Sequence, residues 1–186
     1  MTDRPPTDWD FETAFADVLS AVPDDQYDPD RSVPGVGPLS AAVMLVGEAP
    51  GEREVERGEP FVGQAGSQLD RALEAIGVDR RELYITNLVK VRPPENRDPY
   101  VAEVEAWWPV LEAEIERIDP SVLVPLGSFA TAELLDTDET ITDLHGRAFE
   151  REGRTVVPAF HPAAALYDRT KVDAVESDLA TALEVA

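Results

Sequence analysis

The stretch "VMLVGEAPGE", Val43 to Glu52, carries an apolar strand candidate straight into a glycine, a carboxylate, a proline and a second glycine. Four apolar residues without a polar interruption read as a strand covered on both faces, the pattern of a parallel sheet in an α/β domain. A turn alone is satisfied by Asn or Asp and one Gly. A charged Glu48 where a buried strand ends, with Pro50 stiffening the turn before Gly51, calls for a further reason. Three more runs repeat the pattern: "LYITNLV" (83–89), "VLVPLG" (122–127) and "TVVPAF" (155–160).

Helical segments alternate with these runs. "GQAGSQLDRALEAIG" places Leu69, Leu73 and Ile76 at helical spacing and ends on Gly77. "RDPYVAEVEAWWPVLEAEIERID" offers Asp98 as N-cap and Pro99 at the first helical position, with Pro109 interrupting the hydrogen bonding inside. "GSFATAELL" and "KVDAVESDLATALEV" complete the set. Alternating strands and helices predict a three-layer α/β/α sandwich around a central, mostly parallel four-stranded sheet. Residues 1–186 form one domain: a helix over Phe11 to Val22 and a Pro/Asp-rich loop in 1–40, then the core in 41–186. Right-handed crossovers gather the loops after the strands on one edge, where α/β sheets bind ligands. Glu48, Asn87, Gly127 with Ser128, and His161 therefore converge.

Charge and composition narrow the setting. There are 38 acidic residues against 16 basic ones, a formal net charge of −22, and Lys90 and Lys171 are the only lysines. The acid is spread along the chain, as in proteins that stay soluble in molar salt. At that ionic strength the Debye length is about 3 Å, so the acidity does not argue against a polyanionic partner. No run approaches a membrane span, and the polar, acidic N-terminus shows no export signal, so a cytoplasmic monomer is expected. The chain has no cysteine, which excludes disulfides, a thiol nucleophile and thiolate metal sites.

"GEAPGEREVERGEPFVGQAG", "ITNLVKVRPPENRDP", "VLVPLG" and "FHPAAAL", in that order, resemble the uracil-DNA glycosylase superfamily, and most of all its family-four members. The likeness runs from Val43 to Leu166. It implies a DNA repair enzyme of base excision, a hydrolase that flips uracil out of DNA and cleaves its N-glycosidic bond to leave an abasic site. Phe61 would stack on the base. The Asn87 amide offers one acceptor and one donor, matching uracil N3–H and O4 if neighbouring hydrogen bonds fix its orientation. Glu54 would crowd the C5 methyl of thymine, and Gly47 and Ala49 complete the substrate-binding set. His161 would stabilise negative charge on O2, and Glu48 would orient or deprotonate water or favour a cationic sugar. Arg92, Arg97 and Arg147, in the least acidic stretches, and Ser128 at a helix N-terminus are the candidate phosphate contacts.

The resemblance breaks at one point. Family-four enzymes hold a four-iron–four-sulfur cluster on four cysteines, whereas two of those positions here are Val91 and Trp107. No metal and no cofactor are expected, and Val91, Trp107 and Trp108 should fill the space by packing without leaving a cavity. Two alternatives stand beside excision of uracil: a catalytically silent relative that binds nucleic acid or a nucleotide, and a glycosylase for another deaminated base. A Rossmann-like nucleotide binder is disfavoured, because "GEAPGE" lacks the G-x-G-x-x-G spacing.

Overall fold

The computed structural model describes residues 9–186. Residues 1–8, part of the expected single domain and of the stretch read as lacking an export signal, lie outside the described residues. Strand β1 (Val43–Gly47) is buried along its whole length. Its side chains alternate between two hydrophobic layers, Met44 and Val46 in one and Val43 and Leu45 in the other. Two-sided burial explains the unbroken apolar run.

Strands β2 (Tyr84–Asn87) and β3 (Val122–Pro125) flank β1 in parallel. Beyond β3 come β5 (Arg154–Val156), also parallel, and β4 (Phe149–Arg151), antiparallel at the edge, giving the order β2-β1-β3-β5-β4. The sheet therefore has five strands, not four. β4 escapes sequence reading because only Phe149 is apolar and its other two residues are exposed. Glu152 (φ 52°) and Gly153 (φ 80°) close a tight hairpin between β4 and β5, with both central residues left-handed. The basic stretch containing Arg151 and Arg154 is thus a sheet edge, and its arginines reach Asp136 and Asp119.

Helices cover both faces, as expected of three layers. α1 (Phe11–Ala14), α2 (Ala16–Leu19), α5 (Val101–Ile118) and α6 (Ser128–Leu135) pack against the Met44 and Val46 side. α4 (Gln64–Ala75) and α9 (Thr170–Glu184) pack against the other. The single helix expected over Phe11 to Val22 is broken at Phe15 (φ −118°, ψ 21°). α5 starts at Val101, two residues beyond the expected Pro99, because the Glu103 carboxylate accepts from Tyr100 N at 2.7 Å and does the capping assigned to Asp98. Among the described residues no helix is long and apolar enough to cross a membrane.

Lys90, one of the two lysines, is 1% exposed. Its Nζ donates to Glu114 Oε2 (2.5 Å), Thr86 Oγ1 (2.8 Å) and the Asn87 carbonyl (2.6 Å). Glu114 Oε1 also accepts from Tyr84 OH and Thr86 Oγ1, both at 2.9 Å. Burial lowers the Lys90 pKa, and the Glu114 charge opposes that shift. Removing one partner of such a pair strands the other charge. Lys90→Met should therefore cost about 3–5 kcal/mol, read as a lower urea midpoint at unchanged slope, and adding Glu114→Gln should recover part of it. An unchanged midpoint for Lys90→Met would show the pair to be energetically idle.

Candidate active site

The C-terminal ends of the parallel strands open onto one cavity of about 940 Å³. Its wall includes Glu48, Ala49, Glu54, Phe61, Asn87, Arg92, Arg97 and His161. The register explains the meeting: Gly47 lies opposite Asn87 across β1 and β2, and Val46 opposite Pro125 across β1 and β3. Leu126 bridges Ala159, bringing Gly127 beside the segment that leads to His161.

Gly47, expected in the substrate-binding set, is not part of the cavity wall but backs the Asn87 and Phe61 side chains that are. A Cβ there would collide with the Asn87 amide and lie 2.8 Å from the Phe61 ring, so the close approach admits only hydrogen. Asn87 is 3% exposed. Among the described residues no group hydrogen-bonds its side-chain amide, unlike the expectation of neighbouring hydrogen bonds; the amide lies against Gly47, and the Asn87 carbonyl accepts from Lys90 Nζ. Phe61 is buried with a left-handed backbone (φ 53°), an uncommon state for an aromatic residue. Arg80 holds this turn, donating to the carbonyls of Pro60 (2.7 Å) and Phe61 (2.9 Å) while paired with Asp70 (2.8 Å).

His161 faces the Phe61 ring at 5.6 Å between centroids. Burial lowers its pKa to about 4, so the imidazole is neutral at physiological pH. Ala163 N–H donates to Nδ1 at 3.1 Å, which places the ring proton on Nε2 and makes that atom a donor. The preceding residue is anchored as well: Phe160 N–H donates to Asp178 Oδ2 at 3.2 Å, and Asp178 Oδ1 pairs with His145 Nδ1 at 2.9 Å.

Glu48 is half-buried, and its pKa is raised to about 7 by burial first and then by the Asp98 carboxyl. Glu54 bends back within α3 (Glu52–Arg57), where its Oε2 accepts from Gly51 N at 3.1 Å. The arginines differ from one another. Arg97 is committed to Glu103 through two bonds of 2.7 and 2.9 Å and lies 3.6 Å over the Tyr100 ring. Arg92 carries a buried Nε without a partner among the described residues. Ser128 and Arg147 stand outside the cavity wall: Ser128 is the exposed first residue of α6, and Arg147 donates to the Asp143 carbonyl at 3.1 Å.

Several contributors escape sequence reading. Arg53 and Arg57 line the same cavity from α3, hidden in a stretch read for its acids. Leu166 and Tyr167, 37% and 89% exposed, line its rim in α8 (Ala164–Tyr167). They follow His161 closely, and two apolar residues at the end of a rim motif are the available signal. Asp98 and Arg80 give none, since each acts through tertiary contacts alone.

The positions implied for an iron–sulfur cluster do not fit one. Such clusters need thiolates, and Trp107, 1% exposed, sets its indole edge-on to Tyr27 at 5.7 Å. The expected replacement by packing is partial: Val91 and Trp108 pack against the same core as Trp107. A cavity of about 160 Å³ remains beside Trp107, Tyr27, Leu19 and Lys90, while Val91 and Trp108 are only half-buried. Polar links hold the region as well: Val33 N donates to the Lys90 carbonyl (2.8 Å), Arg31 Nη2 donates to the Arg92 carbonyl (3.1 Å), and Ser32 bridges Val91. Among the described residues no group of three or more His, Asp or Glu is placed to hold a metal ion.

Comparison with known proteins agrees with this geometry. The sequence pattern of the Uracil DNA glycosylase superfamily matches residues 34–184. A type-4 uracil-DNA glycosylase of Archaeoglobus fulgidus is 45% identical over 154 residues, covering 78% of this chain and 77% of its own. A type-4 uracil-DNA glycosylase of Sulfurisphaera tokodaii is 39% identical over 165 residues, 84% of this chain and 75% of its own. A type-5 uracil-DNA glycosylase of Pyrobaculum aerophilum is 35% identical over 150 residues, 72% of this chain and 66% of its own. With the matched region spanning every strand and the whole cavity wall, the chain belongs to the uracil-DNA glycosylase superfamily.

Proposed function

We propose that this protein excises uracil from DNA, and the observation that carries the reading is the single cavity joining Phe61, Asn87, Glu48 and His161 at one sheet edge. The flipped uracil stacks on Phe61, and the Asn87 amide accepts from N3–H and donates to O4. Glu48, as carboxylate, takes a proton from water as the water oxygen bonds to C1′. The C1′–N1 bond breaks, and its electron pair leaves with the base as an anion shared by N1 and O2. His161 Nε2–H donates to O2, stabilising that charge while remaining neutral itself. A neutral donor suits an anion of a weak acid, since a fully charged imidazolium is not required.

The raised pKa of Glu48 supports its role as a base, because a base is most effective when its pKa lies near the working pH. Glu54 braces the entrance turn by capping α3 and, with it, crowds the C5 position that distinguishes thymine. Arg92 supplies the phosphate contact that its unpaired Nε–H favours, with Arg53 and Arg57 on the other side of the mouth. Arg97 acts by holding the loop through Glu103. Arg147 and Ser128, on the same sheet edge but outside the wall, can meet only the flanking backbone. Leu166 and Tyr167 present apolar surface to the stack the nucleotide leaves. The enzyme works without a cofactor, as a monomer, in a cytoplasm of high salt, where 38 acidic residues do not repel DNA.

Alkali-induced strand cleavage of a uracil-containing oligonucleotide, in low salt and in molar KCl, tests the reading. Asn87→Ala and His161→Ala should each lower kcat by about 10²–10³-fold; folded variants with wild-type rates would exclude the assigned roles. The wild-type rate should rise with pH through about 7, where Glu48 loses its proton. Asp98→Asn removes a neighbouring negative charge, so this limb should move to lower pH, and an unmoved limb would mean that another group sets it. Arg92→Ala should weaken binding alike for all sequences and lower the slope of log K against log salt by about one, measured by fluorescence anisotropy.

A further inference from the structure

Lys90 is fully buried where an ammonium is costly, and none of the chemistry above uses it. Its bond to Glu114 ties β2 to α5, but Glu114 already makes that tie through Tyr84 OH and Thr86 Oγ1. The 2.6 Å bond from Lys90 Nζ to the Asn87 carbonyl adds nothing to that link. It acts on the residue that reads the base. Asn87 ends β2, its peptide is held on one side by Leu88 N–H donating to the Gly47 carbonyl (2.9 Å) and on the other by Lys90, and its side-chain amide has no hydrogen bond of its own among the described residues. An amide that must offer its acceptor to N3–H and its donor to O4 needs a fixed orientation.

We infer that Lys90, held in place by Glu114, is a positioning residue for uracil recognition: by fixing the Asn87 peptide it sets the direction in which the Asn87 amide enters the cavity. Nζ lies behind the site, bonded to Thr86, Asn87 and Glu114, and never meets the nucleotide. Contact with Gly47 then limits how far the amide can swing, since the amide oxygen lies against that residue. Together the two constraints do what side-chain hydrogen bonds do in other amide readers. The inference rests on the uracil reading of the same site.

The test compares Glu114→Gln with the double variant Lys90→Met, Glu114→Gln. Glu114→Gln leaves the Lys90 ammonium without its carboxylate, whereas the double variant removes both charges and should be the better folded of the two. Slower excision in the double variant therefore reports the bonds lost to the Asn87 carbonyl and Thr86 Oγ1 rather than lost stability. Single-turnover excision should fall about 10- to 100-fold in the double variant relative to Glu114→Gln, with KM for DNA within about threefold and the preference for uracil over cytosine reduced. Equal kcat and equal preference in two folded variants would overturn the inference, since a purely structural bond predicts that result.

If the double variant does not fold, the wild-type protein decides. With two lysines in the chain, the side-chain ¹⁵Nζ spectrum holds two signals. Saturating free uracil should shift the slowly exchanging Lys90 signal, and an unmoved signal would overturn the inference. No uracil release by the wild type would remove the functional reading and this inference together, whereas wild-type release with indistinguishable variants would remove the inference alone.

Discussion

Parallel pairing of β1 with β2 sets Gly47 opposite Asn87, and a side chain at position 47 would need the space now taken by the Asn87 amide and the Phe61 ring. The other features of the site arrange themselves around that contact. β1 can deliver Glu48 to the cavity only because it stops at a residue without a Cβ. Phe61 can lie against the strand end only by adopting a left-handed backbone, which costs on the order of 1–3 kcal/mol unless its surroundings enforce it. Arg80 supplies that enforcement, occupying the carbonyls of Pro60 and Phe61 from outside the site. A charged residue follows a buried strand here because the residue after the strand, Glu48, is the first to line the cavity.

Much of this is legible from residues alone. Continuous apolar runs reveal β1, β2 and β3 because a strand buried on both faces has no polar alternation to hide it. The convergence of Glu48, Asn87 and His161 follows from the handedness of the crossovers. β4 is not legible, since an exposed edge strand with one apolar residue carries no periodic signal. The burial of Lys90 is not legible either, because nothing in the sequence signals that Glu114, on a distant helix, will meet it. Asp98 reads as a helix cap, although Glu103 performs that task and leaves Asp98 beside Glu48. Local rules find the elements, and the errors lie where two side chains far apart in sequence share one hydrogen bond.

The loss of the cluster cysteines also changes meaning once the structure is in view. Trp107 and Tyr27 occupy part of the region with an aromatic contact, yet a cavity of about 160 Å³ persists beside them. Val91 and Trp108 pack against the same core, so the region is filled in part. The loop from Arg31 to Val33 is held by the Arg31 guanidinium on the Arg92 carbonyl, by the Ser32–Val91 bridge and by Val33 N on the Lys90 carbonyl, and α5 is held to β2 by the bonds of Glu114 with Tyr84 and Thr86. These polar ties act directly behind Asn87 and Arg92, two residues of the cavity wall. Buried ion pairs often add little net stability, and their use here is geometric.

Above all, this cavity must distinguish uracil by its hydrogen-bonding edge and its missing methyl, and then release it. The direct measurement is single-turnover release of free base, followed by mass spectrometry, from duplexes carrying uracil, cytosine or thymine at one position in molar KCl. Uracil should be released at least about 10⁴ times faster than cytosine, the discrimination expected when a site is built to hydrogen-bond its substrate, with thymine release undetected. Folded protein that releases no base, or releases cytosine at a rate comparable to uracil, would contradict it.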